Sequence, residues 1–287
     1  MQLSIIIINY NTFQLTVNCI RSVREKLTGI HYEIVLVDNA SVERDADDFL
    51  KECPGIVLIK SETNTGFAGG NNLGISHAKG EYILLLNSDT ELINNAPKIC
   101  LDHLQSHPEA GMVTCQLSYP DGRLQYNCRR FRTIGWELAE IFPFFRLLPK
   151  KKQGQMMLHH YFDHQHFAKC DWVWGAFMLF PRSILEKLPG GKLAEDFFMY
   201  IEDVRWCWDF RRLGYEIHFI PEAKVMHIHK GSIDPAKLRQ TRITGIKNHA
   251  RFMKKFYPDW RWYIFAAIFY TKQYGALWLK GMMDKLR

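Results

Sequence analysis

The 287-residue chain has no C-x-x-C pair, no G-x-S-x-G elbow, no H-E-x-x-H helix and no Gly-Lys-Ser/Thr phosphate loop. Its seven cysteines stand at irregular spacing (19, 53, 100, 115, 128, 170 and 207). An odd, unpatterned set argues against a disulfide framework and a structural zinc site, and for a reducing compartment. Without a nucleophile elbow or a metalloprotease helix, nothing suggests covalent catalysis. Low-complexity tracts, internal repeats and flexible linkers are missing too, so the chain reads as globular. No apolar stretch approaches the roughly 20 residues that span a bilayer. The start, "MQLSIIIINYNT", lacks the basic residues and cleavage site of a signal peptide and reads as a core strand. Acid is the scarcer charge: 30 Asp and Glu against 37 Lys and Arg give a net +7. That balance favours nucleic acid, an anionic membrane surface or phosphorylated small molecules. No arginine-rich arm or nucleic-acid motif supports the first.

What is present is size and alternation. Hydrophobic residues are 47% of the chain, enough for one large core or two small ones. The first third predicts strand and helix in turn. "LSIIIINY" is a β-branched run buried on both faces, and Thr12 is placed to cap a helix through about Lys26. "YEIVLVDNAS", "GIVLIKS", "YILLLNSD" and "GMVTCQLSYP" are further strands, with helices between them, an acidic one near residues 43–52. This repetition predicts a mostly parallel sheet flanked by helices, with Asn9, Asp38 and Asp89 at one ligand edge. Residues 121–168 read as an irregular, basic and aromatic insertion. "DWVWGAFMLF" returns to strand, "YIEDVRWCWDFRRLGY" ends in a helix stopped by Gly214, and "EIHFIPEAKVMHIH" reads as a strand pair.

Each candidate for chemistry has a bland reading beside it. "NTGFAGGNNLG" brings glycine amides close to a ligand, yet it matches neither dinucleotide nor Walker spacing and is equally a turn with a helix cap. Asp89 suits a hard divalent cation shared with substrate phosphates, or caps the next helix. Glu202 and Asp203, among Tyr200, Trp206 and Trp208, suit a desolvated general base, or favour a helix start by charge alone. His227 and His229 alternate on a strand and share a side. Either could complete a metal shell, although a lone histidine is more often structural. The histidine-dense "HHYFDHQH" reads as a loop.

Taken together and in this order, "SIIIINYNT", "VDNAS", "NTGFAGGNNLG", "LLLNSDT", "WVWGAFMLFPR", "FFMYIEDVRWCWDFRRLGY" and "VMHIHKGS" resemble glycosyltransferase family 2. These are inverting nucleotide-sugar transferases of the Rossmann-like glycosyltransferase-A fold. The N-x-D metal motif, "DGRLQ" and the acid-pair segment are most similar to the rhamnosyltransferase-like branch. The resemblance implies that Asp38 reads the base, with Asn9 and Tyr10 in the same nucleoside pocket and Gly70 and Asn71 in the loop beside it. It implies Asp89 and His227 as metal ligands for Mg²⁺ or Mn²⁺, and Asp203, with Glu202, as the catalytic pair. Asn87 stands where the family has its first acid, so it is left to touch the nucleotide and brings no charge.

The implied organisation is a catalytic domain over 1–235, split into a nucleotide half (1–119) and an acceptor half (120–235), with a helical extension over 236–287. The implied partners are a nucleoside-diphosphate sugar, dTDP-rhamnose among the candidates, and a glycan or lipid-linked saccharide in cell-surface polysaccharide synthesis. In residues 247–287, nine basic groups face two acids amid eleven aromatics. That suits a peripheral contact at the inner face of the cell membrane by a cytoplasmic protein, or a helix packed on the domain. A catalytically silent sugar-nucleotide scaffold is the alternative. A nucleotidyltransferase would want a basic glycine loop near the start, and "NYNTF" has no basic residue.

Overall fold

A computed structural model describes residues 1–228 and 238–285. His229 and the 235/236 boundary lie outside the described residues. In chain order the elements are β1 (Leu3–Asn9), α1 (Phe13–Lys26), β2 (Tyr32–Asp38), α2 (Asp48–Glu52), β3 (Val57–Lys60), α3 (Gly66–His77), β4 (Tyr82–Asn87), β5 (Thr90–Leu92), α4 (Ala96–Ser106), β6 (Ala110–Ser118), β7 (Leu124–Gln125), β8 (Cys128–Arg129), α5 (Ile134–Ile141), α6 (Lys150–Met157), β9 (Ala168–Cys170), β10 (Trp172–Val173), β11 (Phe177–Pro181), α7 (Glu202–Arg212), β12 (Glu216–His227), α8 (Leu238–Phe256) and α9 (Arg261–Lys285).

The isoleucine run of β1 is buried on both faces. Ile5 and Ile7 pack with α1 and α4 through Val17, Ile20 and Leu101. Ile6 faces the opposite layer, with Ala68 and Ile75 of α3 and Trp206 and Phe210 of α7. The strand order is β3-β2-β1-β4-β11-β6-β12-β5. Registers of β1 pair Asn9 with Asp38 and Ile8 with Asn87, which aligns the polar strand tips along one edge. Six strands run in one direction, and β11 enters antiparallel between β4 and β6. The sheet is mostly parallel, with flanking helices and C-terminal helices beyond it.

Several local expectations need correction. The strand pair expected over "EIHFIPEAKVMHIH" is one long strand, β12, with a register shift between Ile220 and Lys224. Pro221 sits in that shift, where its missing N–H would break a ladder. The acidic helix spans only Asp48–Glu52. Thr12 precedes α1 but does not cap it, because its hydroxyl turns to Asn9 and Ser88 instead. The insertion is more regular than expected, since it holds α5 and α6.

Cysteine spacing also misled. Cys128 and Cys170 form a disulfide, while the five others are buried thiols. The bridge joins residues 42 apart because β8 pairs with β10 and so lies beside the end of β9.

The C-terminal helices are part of this packing. Phe252, Phe265 and Phe269 lie in the core below α7. Arg132 Nε (2.5 Å) and Lys272 Nζ (2.9 Å) both hold Glu137, whose side chain is 0% exposed. Lys272 also contacts Glu140, so α5 and α9 are pinned by charge. Glu137→Ala leaves Arg132 and Lys272 with Glu140 as their remaining carboxylate, so the expected cost falls below the roughly 3–5 kcal/mol of a wholly unpaired buried charge. A urea midpoint unchanged from wild type would refute that role.

Candidate active site

The aligned strand tips open onto a cavity of about 610 Å³. That volume suits a bound small molecule, for which pockets of roughly 300–1,000 Å³ are usual. On one flank Asn9 Nδ2 donates to Asp38 Oδ1 (2.7 Å) and Ser41 Oγ (2.9 Å). Asn9 Oδ1 accepts from the Thr12 amide (3.2 Å) and from the hydroxyls of Thr12 and Thr16 (3.0 Å each). Asn9 is therefore saturated and fixes the Asp38 carboxylate behind the wall. Tyr10 lies on the wall, 41% exposed.

Asn39, unremarked in the sequence although inside "VDNAS", also lines the cavity. Its Nδ2 donates to Asn64 Oδ1 and the Gly66 carbonyl (both 3.1 Å), and its Oδ1 accepts from the Thr65 amide (3.0 Å). It ties the glycine loop to the tip of β2. Gly66 has φ +73°, and a Cβ there would lie 2.4 Å from the Phe198 carbonyl oxygen, so only glycine permits that approach. Gly70 and Asn71 are placed differently. A Cβ on Gly70 would meet Ile8 Cγ2 at 3.2 Å, so this glycine seats α3 on β1. Asn71 Nδ2 donates to the Phe67 carbonyl (2.8 Å) within its own helix. Neither lines the cavity.

Asn87, Ser88 and Asp89 form the floor. No helix follows Asp89 directly; the short strand β5 pairs Thr90 with His227 of β12. This brings His227 Nε2 to 3.3 Å from Asp89 Oδ1. Gln125 sets the tautomer. Its Nε2 donates to the His227 carbonyl (2.6 Å), so its Oε1 faces His227 Nδ1 (2.7 Å) and must accept a proton from it. With a cation bound, Nε2 would offer its lone pair beside the Asp89 carboxylate. Two acceptors at this separation match adjacent corners of an octahedral shell, about 3 Å apart for Mg²⁺–O bonds of about 2.0–2.1 Å. The residues present fit a hard divalent cation. Gln125→Leu is expected to lower Mn²⁺ affinity about 10–100-fold, as outer-shell losses do. Equal Mn²⁺ affinity by calorimetry would contradict this clamp. A second group, Glu109, Glu216 and His218, lies at the opposite end of β12 and does not line the cavity.

The acid pair opens α7 on the far wall. Tyr200 (φ +68°) and Ile201 (φ +82°) precede it in left-handed backbone, a strained conformation for bulky side chains. Asp203 Oδ1 accepts from the Val204 amide (2.8 Å) and Oδ2 from the Gly175 amide (3.3 Å). Burial raises its carboxyl to about 6 against those two amides and the Arg129 charge. Glu202 has a buried Oε1 with no partner among the described residues. Burial, then the neighbouring Asp203 charge, pushes it to about 8. At neutral pH Asp203 is mostly a carboxylate and Glu202 mostly an acid, so Asp203 is the member able to accept a proton.

A mostly parallel sheet with flanking helices, whose strand tips, Asp89–His227 pair and acid pair line one cavity, is the architecture of a glycosyltransferase of the glycosyltransferase-A fold. The chain belongs to glycosyltransferase family 2, whose model matches residues 4–188, well over half of it. It is similar to the low-salt glycan biosynthesis hexosyltransferase of Haloferax volcanii, 28% identical over 88% of this chain and 74% of that protein. It is also similar to the N-acetylglucosaminyl-diphospho-decaprenol L-rhamnosyltransferase of Mycobacterium tuberculosis, 23% identical over 71% of this chain and 69% of that one. Of the other curated relatives the chain covers less, as little as 15% of one of them. Among solved structures it resembles a mannosyltransferase from Pyrobaculum calidifontis in complex with GDP-mannose and Mn²⁺. The TM-score is 0.61 at 15% identity, covering 100% of this chain and 81% of that one. At that identity the likeness establishes the fold alone.

Proposed function

We propose that the chain is a metal-dependent, inverting glycosyltransferase. It moves a sugar from a nucleoside-diphosphate donor, dTDP-rhamnose among the candidates, to a glycan or lipid-linked saccharide in cell-surface polysaccharide synthesis. One observation carries this reading: a single cavity is lined both by the Asp89–His227 pair and by a carboxyl, Asp203, that burial raises to about 6. Asn9 and Asp38 brace the nucleoside end of the cavity from behind its wall, and Tyr10 lies along the nucleoside. Asn87 meets the nucleotide by hydrogen bonds. Asp89 and His227 would hold Mg²⁺ or Mn²⁺, which neutralises the diphosphate as it leaves. Asp203 takes the proton of the acceptor hydroxyl as that oxygen attacks the anomeric carbon. Glu202, protonated beside it, adds no charge to oppose the ionised Asp203.

A single displacement yields the anomer opposite to the donor's, which proton NMR of the product reads directly. A product with the donor's own anomeric configuration would overturn the inverting assignment. The relatives named above support the donor and acceptor classes by analogy.

No helix among the described residues is long and apolar enough to cross a membrane. The tail instead supports a peripheral contact: Trp260 is 68% exposed, Tyr263 75% and Trp278 65%, although Phe265 and Phe269 are buried. The chain then works in the cytoplasm, at the inner face of the membrane. Because truncation would open the core, the test replaces Trp260, Tyr263 and Trp278 by Ser. Wild type is expected to float with anionic liposomes at low salt and the triple variant to stay behind. If wild type also stays behind, the tail only packs.

A further inference from the structure

The run Arg129, Arg130 and Arg132 is answered unequally. Arg130 reaches Asp171 Oδ1 (3.4 Å) and the carbonyls of Lys169 (3.0 Å) and Gln155 (2.9 Å). Arg132 holds Glu137 at 2.5 Å. Arg129 donates from Nε to the Tyr126 carbonyl (3.1 Å), and among the described residues no carboxylate oxygen lies within 4.0 Å of its nitrogens. Yet its guanidinium is half-buried, 5.3 Å from the ring centroid of Trp172 and 5.2 Å from that of Trp174. Both indoles line the cavity, and Arg129 lies beyond them, outside its lining.

Indole faces offset part of the cost of taking a cation out of water. They leave the terminal N–H groups of the guanidinium without an anion. A planar guanidinium fixed in this way matches the paired oxygens of a phosphate or carboxylate. Burial and Arg132 lower Arg129 to about 10, so it stays cationic at neutral pH.

Its position gives the direction. Arg129 lies on β8, which pairs with β10. The chain then passes through Trp174 to Gly175, whose amide binds Asp203. The guanidinium therefore stands on the side of the base, while Asn9 and Asp38 sit at the tips of β1 and β2. Trp172, Trp174 and Asp203 line the same cavity.

We propose that Arg129, Trp172 and Trp174 form an oxyanion subsite on the acceptor side of the cavity. The acceptor then carries a phosphate, diphosphate or carboxylate close to the hydroxyl that reacts. This rests on the reading of Asp203 as the base.

The test is a binding measurement that needs no turnover. The full chain is titrated in EDTA, by calorimetry, with citronellyl diphosphate, citronellol and methyl glucuronide. Wild type and Asp203→Asn are expected to bind one anionic probe and not citronellol. Arg129→Met should weaken that binding about tenfold or more, and Arg129→Lys less, because Lys lacks the paired donors. Affinity for nucleoside diphosphate with Mn²⁺ should not move in either variant. Preference for citronellyl diphosphate identifies a phosphate-bearing carrier, and preference for the glucuronide an acidic sugar. Failure of wild type to bind either anion, or equal affinity for citronellol, overturns the subsite, and neither outcome depends on a variant folding. Loss of nucleoside diphosphate binding in Arg129→Met overturns it as well, by assigning the charge to the donor. A dead Asp203→Asn enzyme that still binds the probe leaves the subsite standing; a live one removes the base on which its acceptor assignment rests.

Discussion

Asp203→Asn is expected to slow sugar transfer about 10²–10⁴-fold, the usual contribution of a positioned general base. Donor binding should stay within a few-fold of wild type, because the lost interaction forms only as the acceptor proton leaves. The amide keeps the shape of the carboxylate and, through its one oxygen, the contact with the Val204 amide at the helix start; its NH2 cannot accept from Gly175. The pH profile carries the argument further. A base must be deprotonated to act, so the rate should rise with pH through about 6, the value to which burial lifts Asp203. Near 8 Glu202 ionises beside it, which places a second charge in the same wall. Because the two acids interact, the two steps belong to the pair. Glu202→Gln should therefore change the alkaline limb and leave most of the rate at pH 7. Single-turnover release of nucleoside diphosphate between pH 5 and 9 separates the two. If Asp203→Asn keeps near-wild-type turnover while Glu202→Gln loses it, the roles are reversed.

Asp89→Asn is expected to remove the cation-dependent part of nucleoside diphosphate binding. Asn87 is neutral, so the strand tip's anionic contribution rests on Asp89. The loss should exceed the roughly 10–100-fold that outer-shell substitutions cost. His227→Ala should do the same to a smaller degree, since it removes a neutral ligand. The sign is clear in a comparison with chelator. In EDTA, wild type and Asp89→Asn should bind the nucleotide equally weakly, and only wild type should gain affinity when Mn²⁺ is restored. Equal gains in both proteins would place the cation elsewhere.

Much of this was readable before any coordinates. An isoleucine run such as Ile5–Ile8 has few ways to be buried other than as a central strand, and the polar residues that end such strands mark a ligand edge. The resemblance then pointed to Asp89, His227, Glu202 and Asp203, which the structure gathers around one cavity. What stayed hidden depends on contacts remote in sequence. Gln125 is one polar residue in a turn-rich stretch, and nothing local says that it clamps a histidine 102 positions later. Strand direction is not written in composition either, so the antiparallel entry of β11 could not be seen. Gly70 and Asn71 show the reverse error: a glycine-rich stretch looked like ligand backbone where part of it is helix packing. Cysteine spacing was silent on the Cys128–Cys170 pair because β8 and β10 bring those segments together only in the folded chain.

The central claim is turnover of a sugar nucleotide under cation control. Its most direct test is a mass-spectrometric screen of dTDP-rhamnose, UDP-galactose, UDP-glucose, UDP-N-acetylglucosamine and GDP-mannose, each with Mn²⁺ and with EDTA, using wild type and Asp203→Asn against a pool of lipid-linked and free glycans. The expected result is that wild type consumes one donor, only with Mn²⁺, that a glycan gains the mass of that sugar, and that Asp203→Asn does neither. Binding of a donor with no transfer from any of the five, with or without the cation, would contradict the account and leave a sugar-nucleotide scaffold in its place.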